Sequence, residues 1–171
     1  SKLLLATDNR QAEHYLNDVW RNVRQLSHEL MPPCFEDVSL DAVVRSYVAA
    51  IGNKAGNNVT LHIDTTFDWQ RLPQQVAYET YRIIQEATAN AMKHGNGDAI
   101  DISLRADDGS MCVRIDNSIS LHTGDSLPRG DHGIGRQTLQ KRADRIGAKL
   151  TITEEGTRHS LTLTHRLGSE A

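Results

Sequence analysis

ETYRIIQEATANAMKHGNG, residues 79–97, carries two interleaved helical periodicities. Glu86, Asn90 and His94 fall at i, i+4 and i+8, with Lys93 between them, and residues three and four apart on a helix are neighbours. Val76, Ile83, Ile84, Ala87 and Ala91 fall on another face, at the spacing of a buried apolar stripe. A carboxylate, an amide, an ammonium and an imidazole on one stripe suit a divalent cation and phosphates. For a helix taken alone, a solvated polar face is the plainer reading.

Upstream, Pro73 suits the first turn of this helix, where its missing amide leaves nothing unsatisfied. Val59, Leu61 and Ile63 alternate with polar residues, which predicts a strand with one buried face. Ser39 is an N-cap for a helix carrying Leu40, Val43, Val44, Tyr47, Val48 and Ile51, ended near Gly52. Pro32-Pro33 stops a long first helix, from about Asp8 to Met31. Leu16, Val19, Val23, Leu26 and Leu30 form an a/d seam on it, widened by Tyr15 and Trp20, and a seam this wide needs a partner.

Downstream, Gly95 and Gly97 end the central helix. Ile100, Ile102 and Leu104, a turn at 107–110, then Met111, Val113 and Ile115 predict a hairpin. Residues from Asn117 to His132 lack periodicity and read as a functional loop. A helix over Ile134–Ile146 is ended by Gly147, and a closing hairpin turns at Glu155-Gly156 between Leu150, Ile152 and Leu161, Leu163. This order predicts an α+β two-layer sandwich, with a mixed, mainly antiparallel sheet and helices on one face.

The chain has 171 residues, enough for one domain or a domain with an appendage. Hydrophobic residues make up 38% and aromatics 5%, so the core is aliphatic. A net charge of -3 argues against nucleic acid as a partner. Cys34 and Cys112 have no metal-ligand spacing and read as reduced thiols. No apolar run reaches membrane length, and the expected setting is a cytoplasmic domain. The absence of an initial Met reads as a segment of a longer protein.

Two further runs carry chemistry. In Val113-Arg114-Ile115-Asp116-Asn117-Ser118, an Asp at a strand end can accept a hydrogen bond from an exocyclic amine such as adenine's; a turn-forming Asp is the plainer reading. In Gly130-Asp131-His132-Gly133-Ile134-Gly135, glycines open the backbone to phosphate, and the following helix supplies free amides. This run has neither the strand before it of a dinucleotide fingerprint nor the Lys-Ser/Thr ending of a P-loop.

Together and in order, these runs resemble the GHKL ATPase superfamily, above all the catalytic domain of two-component sensor histidine kinases in the nitrate/nitrite-sensor-like branch. RIIQEATANAMKHG is similar to that branch's N box, IDNS to its G1 box, and GDHGIGRQTLQKRADRIGAKL to its G2 box and following helix. GTRHSLTL resembles the terminal strand, and VRQLSHELMPPCFEDVSLDAVV the second helix of the dimerisation bundle with its connector. The resemblance spans about Asn17 to Leu163. It implies a Bergerat-type ATP-binding domain over 34–171, preceded over 1–33 by a bundle helix and connector.

The resemblance further implies ATP and Mg²⁺ as cofactors. Asn90 would ligate Mg²⁺, and Glu86, as the catalytic residue, would orient a water or assist phosphoryl transfer. Lys93 and His94 would lie near the phosphates, and Asp116 would bind the adenine amine with Thr157 nearby. Gly133 and Gly135 would let the lid close, with His132 and Ile134 in the same run. Ser118 and Ser120 stand where the family has glycines.

The partners so implied are a response regulator and, through the N-terminal helix, a second copy. The phosphoacceptor is expected on a preceding helix; His28 lies four residues before Pro32 and reads as a surface or packing residue, and His14 is no better placed. Two alternatives are a degenerate nucleotide-binding or interaction module and an anti-sigma-factor-like serine kinase. The seam leading into Pro32-Pro33 speaks against the serine kinase.

Overall fold

The computed structural model describes residues 34–52, 58–94, 99–107, 109–118 and 131–168. The chain divides into two compact units, Ser1–Cys34 and Phe35–Ala171, and the elements described belong to the second. The helix expected over Asp8–Met31 lies outside the described residues. In chain order the elements are α1 (Leu40–Gly52), β1 (Val59–Ile63), a 3-10 turn (Trp69–Arg71), α2 (Gln74–His94), β2 (Ile100–Asp107), β3 (Ser110–Ser118), α3 (Asp131–Arg145), β4 (Lys149–Glu155) and β5 (Arg158–Arg166).

The strands form one five-stranded sheet in the order β1-β2-β3-β5-β4. Only β1 and β2 run parallel; the other pairs are antiparallel. Two tight hairpins set the register. Gly109 (φ 81°) and Gly156 (φ 59°) occupy the left-handed backbone region that a short hairpin turn requires. Alternation then divides the residues between faces. Ile100, Ile102, Leu104, Met111, Val113, Ile115, Leu161 and Leu163 are buried in one core with Leu40 and Val44 of α1, Ile83 and Ile84 of α2, and Leu139 and Ala143 of α3. This is the expected two-layer α+β arrangement.

The central helix buries the expected stripe of Val76, Ile83, Ile84, Ala87 and Ala91. Tyr81 extends it toward α1, meeting the Phe35 and Tyr47 rings edge-on at 6.1 and 6.0 Å. Burial, with the Tyr81 phenol adding and a Thr88 hydrogen bond opposing, pushes the Tyr47 hydroxyl up to about 12. Helix α3 ends where expected. Gly147 (φ 63°) follows it, and the Ala148 amide donates back to the Ala143 carbonyl at 2.9 Å, closing a Schellman-type cap.

Glu79 was not part of the apolar reading, yet it is only 4% exposed. Its carboxylate accepts from Arg142 at 2.9 Å and from Arg145 at 3.0 Å, both on α3. A buried charge is tolerated only when paired, and removing one partner of such a pair costs several kcal/mol. This pair therefore fixes α3 on α2. Replacing Glu79 with Ala should destabilise the fold by about 3 kcal/mol in urea unfolding; a loss under about 0.5 kcal/mol would mean that α3 is held by apolar packing alone.

Candidate functional site

Fixing α3 on α2 brings Gly135 of the glycine run against the polar stripe of α2. A Cβ built on Gly135 would lie 3.6 Å from the Asn90 amide nitrogen and 3.9 Å from a Glu86 carboxylate oxygen. Those are ordinary contact distances, so crowding among the described residues does not demand glycine here. What the glycine gives is bare backbone beside an amide and a carboxylate. Both side chains are half-buried, one helical turn apart on α2. Arg142 reaches the same place, its Nε 4.0 Å from a Glu86 oxygen while its Nη1 holds Glu79. One guanidinium thus links the buried clamp to the site.

The sequence placed the glycine run in a loop, with a helix starting at Ile134. In the structure α3 starts three residues earlier, at Asp131, so His132, Gly133, Ile134 and Gly135 lie in its first turns. An acidic residue at a helix N-terminus complements the dipole. The anion-binding property survives the shift, since the first turn still presents free amides. Of His132, Gly133, Ile134 and His94 only the helical backbone is described. Lys93 is exposed on the last turn of α2.

At the strand end, neighbouring residues divide between the two faces of the sheet. Met111, Val113, Ile115 and Asn117 alternate onto the helix-facing side of β3, all buried. Asp116 therefore faces the opposite side of the sheet. Its carboxylate is already engaged there: Arg114 Nε donates at 2.9 and 3.1 Å, Arg158 Nη2 lies at 3.2 Å, and the Ser160 hydroxyl donates to Oδ1. Burial alone would raise this carboxyl's pKa, but the hydrogen bonds from Ser160, Arg114 and Arg158 outweigh it and hold it below the ordinary range. Asp116 is thus placed as the centre of an outer-face ion-pair network, not as a group open to a base on the helix side. Thr157 is exposed in the β4–β5 turn, next to Arg158, the cross-strand partner of Ser118.

The donor set beside α3 bears on Mg²⁺. Among the described residues no three His, Cys, Asp or Glu side chains cluster as a metal cage. Asn90 and Glu86 offer one amide oxygen and one carboxylate. That set fits an ion that keeps several waters and takes its remaining ligands from phosphates.

No protein-family model matches the chain. The oxygen sensor histidine kinase NreB of Staphylococcus carnosus is 29% identical over 152 residues, which are 88% of this chain and 43% of NreB. The signal transduction histidine-protein kinase/phosphatase UhpB of Salmonella typhimurium is 28% identical over 151 residues, 86% of this chain and 29% of UhpB. The chain thus spans less than half the length of these curated relatives. Among solved structures, the catalytic domain of histidine kinase ThkA superposes with a TM-score of 0.59 at 13% identity, covering 75% of this chain and 94% of that one. The Erythrobacter litoralis EL346 blue-light activated histidine kinase gives 0.57 at 18% identity over 76% of this chain and 46% of that one. By sequence the chain is similar to sensor histidine kinases, and its fold is that of their catalytic domain.

The outer-face network has a pH signature. A carboxyl whose folded pKa is depressed adds stability above its unfolded value, near about 3.9, and that stability is lost as pH falls through the folded value. Asp116→Asn should cost about 1–2 kcal/mol at pH 7. It should also flatten the loss of stability on acidification below about pH 4. Urea unfolding at neutral and acid pH measures both; an identical acid dependence in the two proteins would contradict the network.

Proposed function

We propose that this chain is the ATP-binding catalytic region of a two-component sensor histidine kinase, and that the intact protein passes the γ-phosphoryl group of ATP to a histidine for relay to a response regulator. The observation that carries the reading is the placement of Gly135, one turn inside the α3 N-terminus, against Asn90 and Glu86. The free amides and positive dipole end of α3 thus lie about one helical turn from an amide and a carboxylate, as a polyphosphate with its cation requires. The likeness to NreB and UhpB supports the same reading from sequence.

In this account Asn90 would hold Mg²⁺, which when bound would neutralise charge on the phosphates. The first-turn amides of α3 would face the phosphates, with Gly133 and Gly135 keeping the neighbouring backbone bare. Lys93, His94 and His132 are the further residues that this reading assigns to the phosphates. Glu86, oriented by Arg142, faces the incoming nucleophile and accepts its proton or orients a water. A ring nitrogen of the acceptor histidine attacks the γ-phosphorus as the bond to the β–γ bridging oxygen breaks, and ADP leaves. Such transfer needs positioning and charge neutralisation more than covalent help from the protein. Dimerisation through the N-terminal segment would present the acceptor.

Asn90→Ala, titrated calorimetrically with a non-hydrolysable ATP analogue, should lose Mg²⁺-dependent affinity by about tenfold or more with unfolding behaviour unchanged. Unaltered Mg²⁺-dependent affinity would remove Asn90, and with it the N-box reading, from the site.

A further inference from the structure

We infer that Asn117, not Asp116, reads the nucleotide base, so that this site recognises a purine through a neutral amide; the inference rests on the nucleotide-binding reading above. Three observations point there. First, strand alternation carries Asn117 onto the helix-facing side with Met111, Val113 and Ile115, and leaves Asp116 on the other side. Second, the Asp116 carboxylate already holds Arg114, Arg158 and Ser160, and turning it toward a base would break all three contacts.

Third, Asn117 lies in line with the phosphate end of the site. Cross-strand pairing sets Ile100, Asn117, His159 and Glu154 in one row across β2, β3, β5 and β4. At its far end Glu154 pairs with Arg136, the residue after Gly135. Asn117 and Glu154 are two strand spacings apart, about 10 Å. That span suits a nucleoside whose phosphates lie at the start of α3.

The chemistry of the side chain completes the argument. Asn117 is 8% exposed, and among the described residues its amide makes one long side-chain bond, Nδ2 donating to the Ser118 carbonyl at 3.4 Å. An amide both accepts and donates, so it can pair with an exocyclic amine and the adjacent ring nitrogen of adenine together. A carboxylate only accepts, and therefore repels the oxygen that replaces the amine in hypoxanthine. An amide can turn over and donate to that oxygen instead. The site is accordingly a purine reader with a weak preference between ATP and ITP.

The test compares ATP, ITP and inorganic triphosphate, each with Mg²⁺, binding to the whole chain and to its Asn117→Ala, Asn117→Asp and Asp116→Asn variants. ATP affinity should fall about tenfold in Asn117→Ala while triphosphate affinity stays within about twofold. In Asp116→Asn the ATP-to-triphosphate ratio should hold. The unmodified chain should prefer ATP over ITP by less than about tenfold, and Asn117→Asp should widen that preference, which tests the inference even where the Ala variant fails to fold. Selective loss of ATP in Asp116→Asn, or an unmoved ATP/ITP ratio in Asn117→Asp, would overturn the inference while leaving the phosphate site standing. Failure of the unmodified chain to bind triphosphate or ATP would overturn the nucleotide reading and this inference with it.

Discussion

The ion pair between Glu79 and Arg142 is the constraint on which the site depends. Apolar packing alone would let α3 slide on α2, because aliphatic contacts are non-directional. A carboxylate buried to 4% exposure has no such freedom. It must meet its guanidinium with good geometry or carry an uncompensated charge in the core. Meeting it at 2.9 Å fixes the depth and rotation of α3. Seven residues back along that helix, Gly135 then falls beside Asn90 and Glu86. The charge pair makes a register, and the register makes a site.

The same guanidinium connects structure to chemistry. Among the described residues Arg142 Nε has no hydrogen-bond partner although it is buried, and it sits 4.0 Å from Glu86. A buried donor without a partner is costly and tends to be retained where it has work to do. In the proposed reading it would orient the Glu86 carboxylate toward the reacting phosphoryl group. By contrast, the exposed Arg136–Glu154 pair contributes little energy and serves mainly to show where α3 meets the sheet.

Much of this was legible in the residues, for identifiable reasons. The apolar stripe from Val76 to Ala91 and the alternation in both hairpins reflect burial directly, and burial is what periodicity records. Glycines at 109, 147 and 156 mark backbone that only glycine enters cheaply, and all three have positive φ. Glu79 was not legible, because its partners are 63 and 66 residues away in the chain. The start of α3 is not legible in the sequence, because glycine reads as a breaker, yet Gly133 and Gly135 stand inside the helix. The strand end at Asp116 and Asn117 is a different case. The motif of residue types singles out the acid at 116, while the alternation of Met111, Val113 and Ile115 carries position 117 onto the inner face.

The measurement that reaches the central claim most directly is an NMR experiment on isotope-labelled chain with a non-hydrolysable ATP analogue and Mg²⁺, recording intermolecular NOEs from the adenine protons together with shifts of the side-chain amides. The account predicts NOEs to the Asn117 side chain and its helix-facing neighbours, and shifted side-chain amide signals for Asn90 and Asn117. NOEs from adenine to Arg114, Asp116 or Arg158 would put the base on the outer face of the sheet and contradict the account.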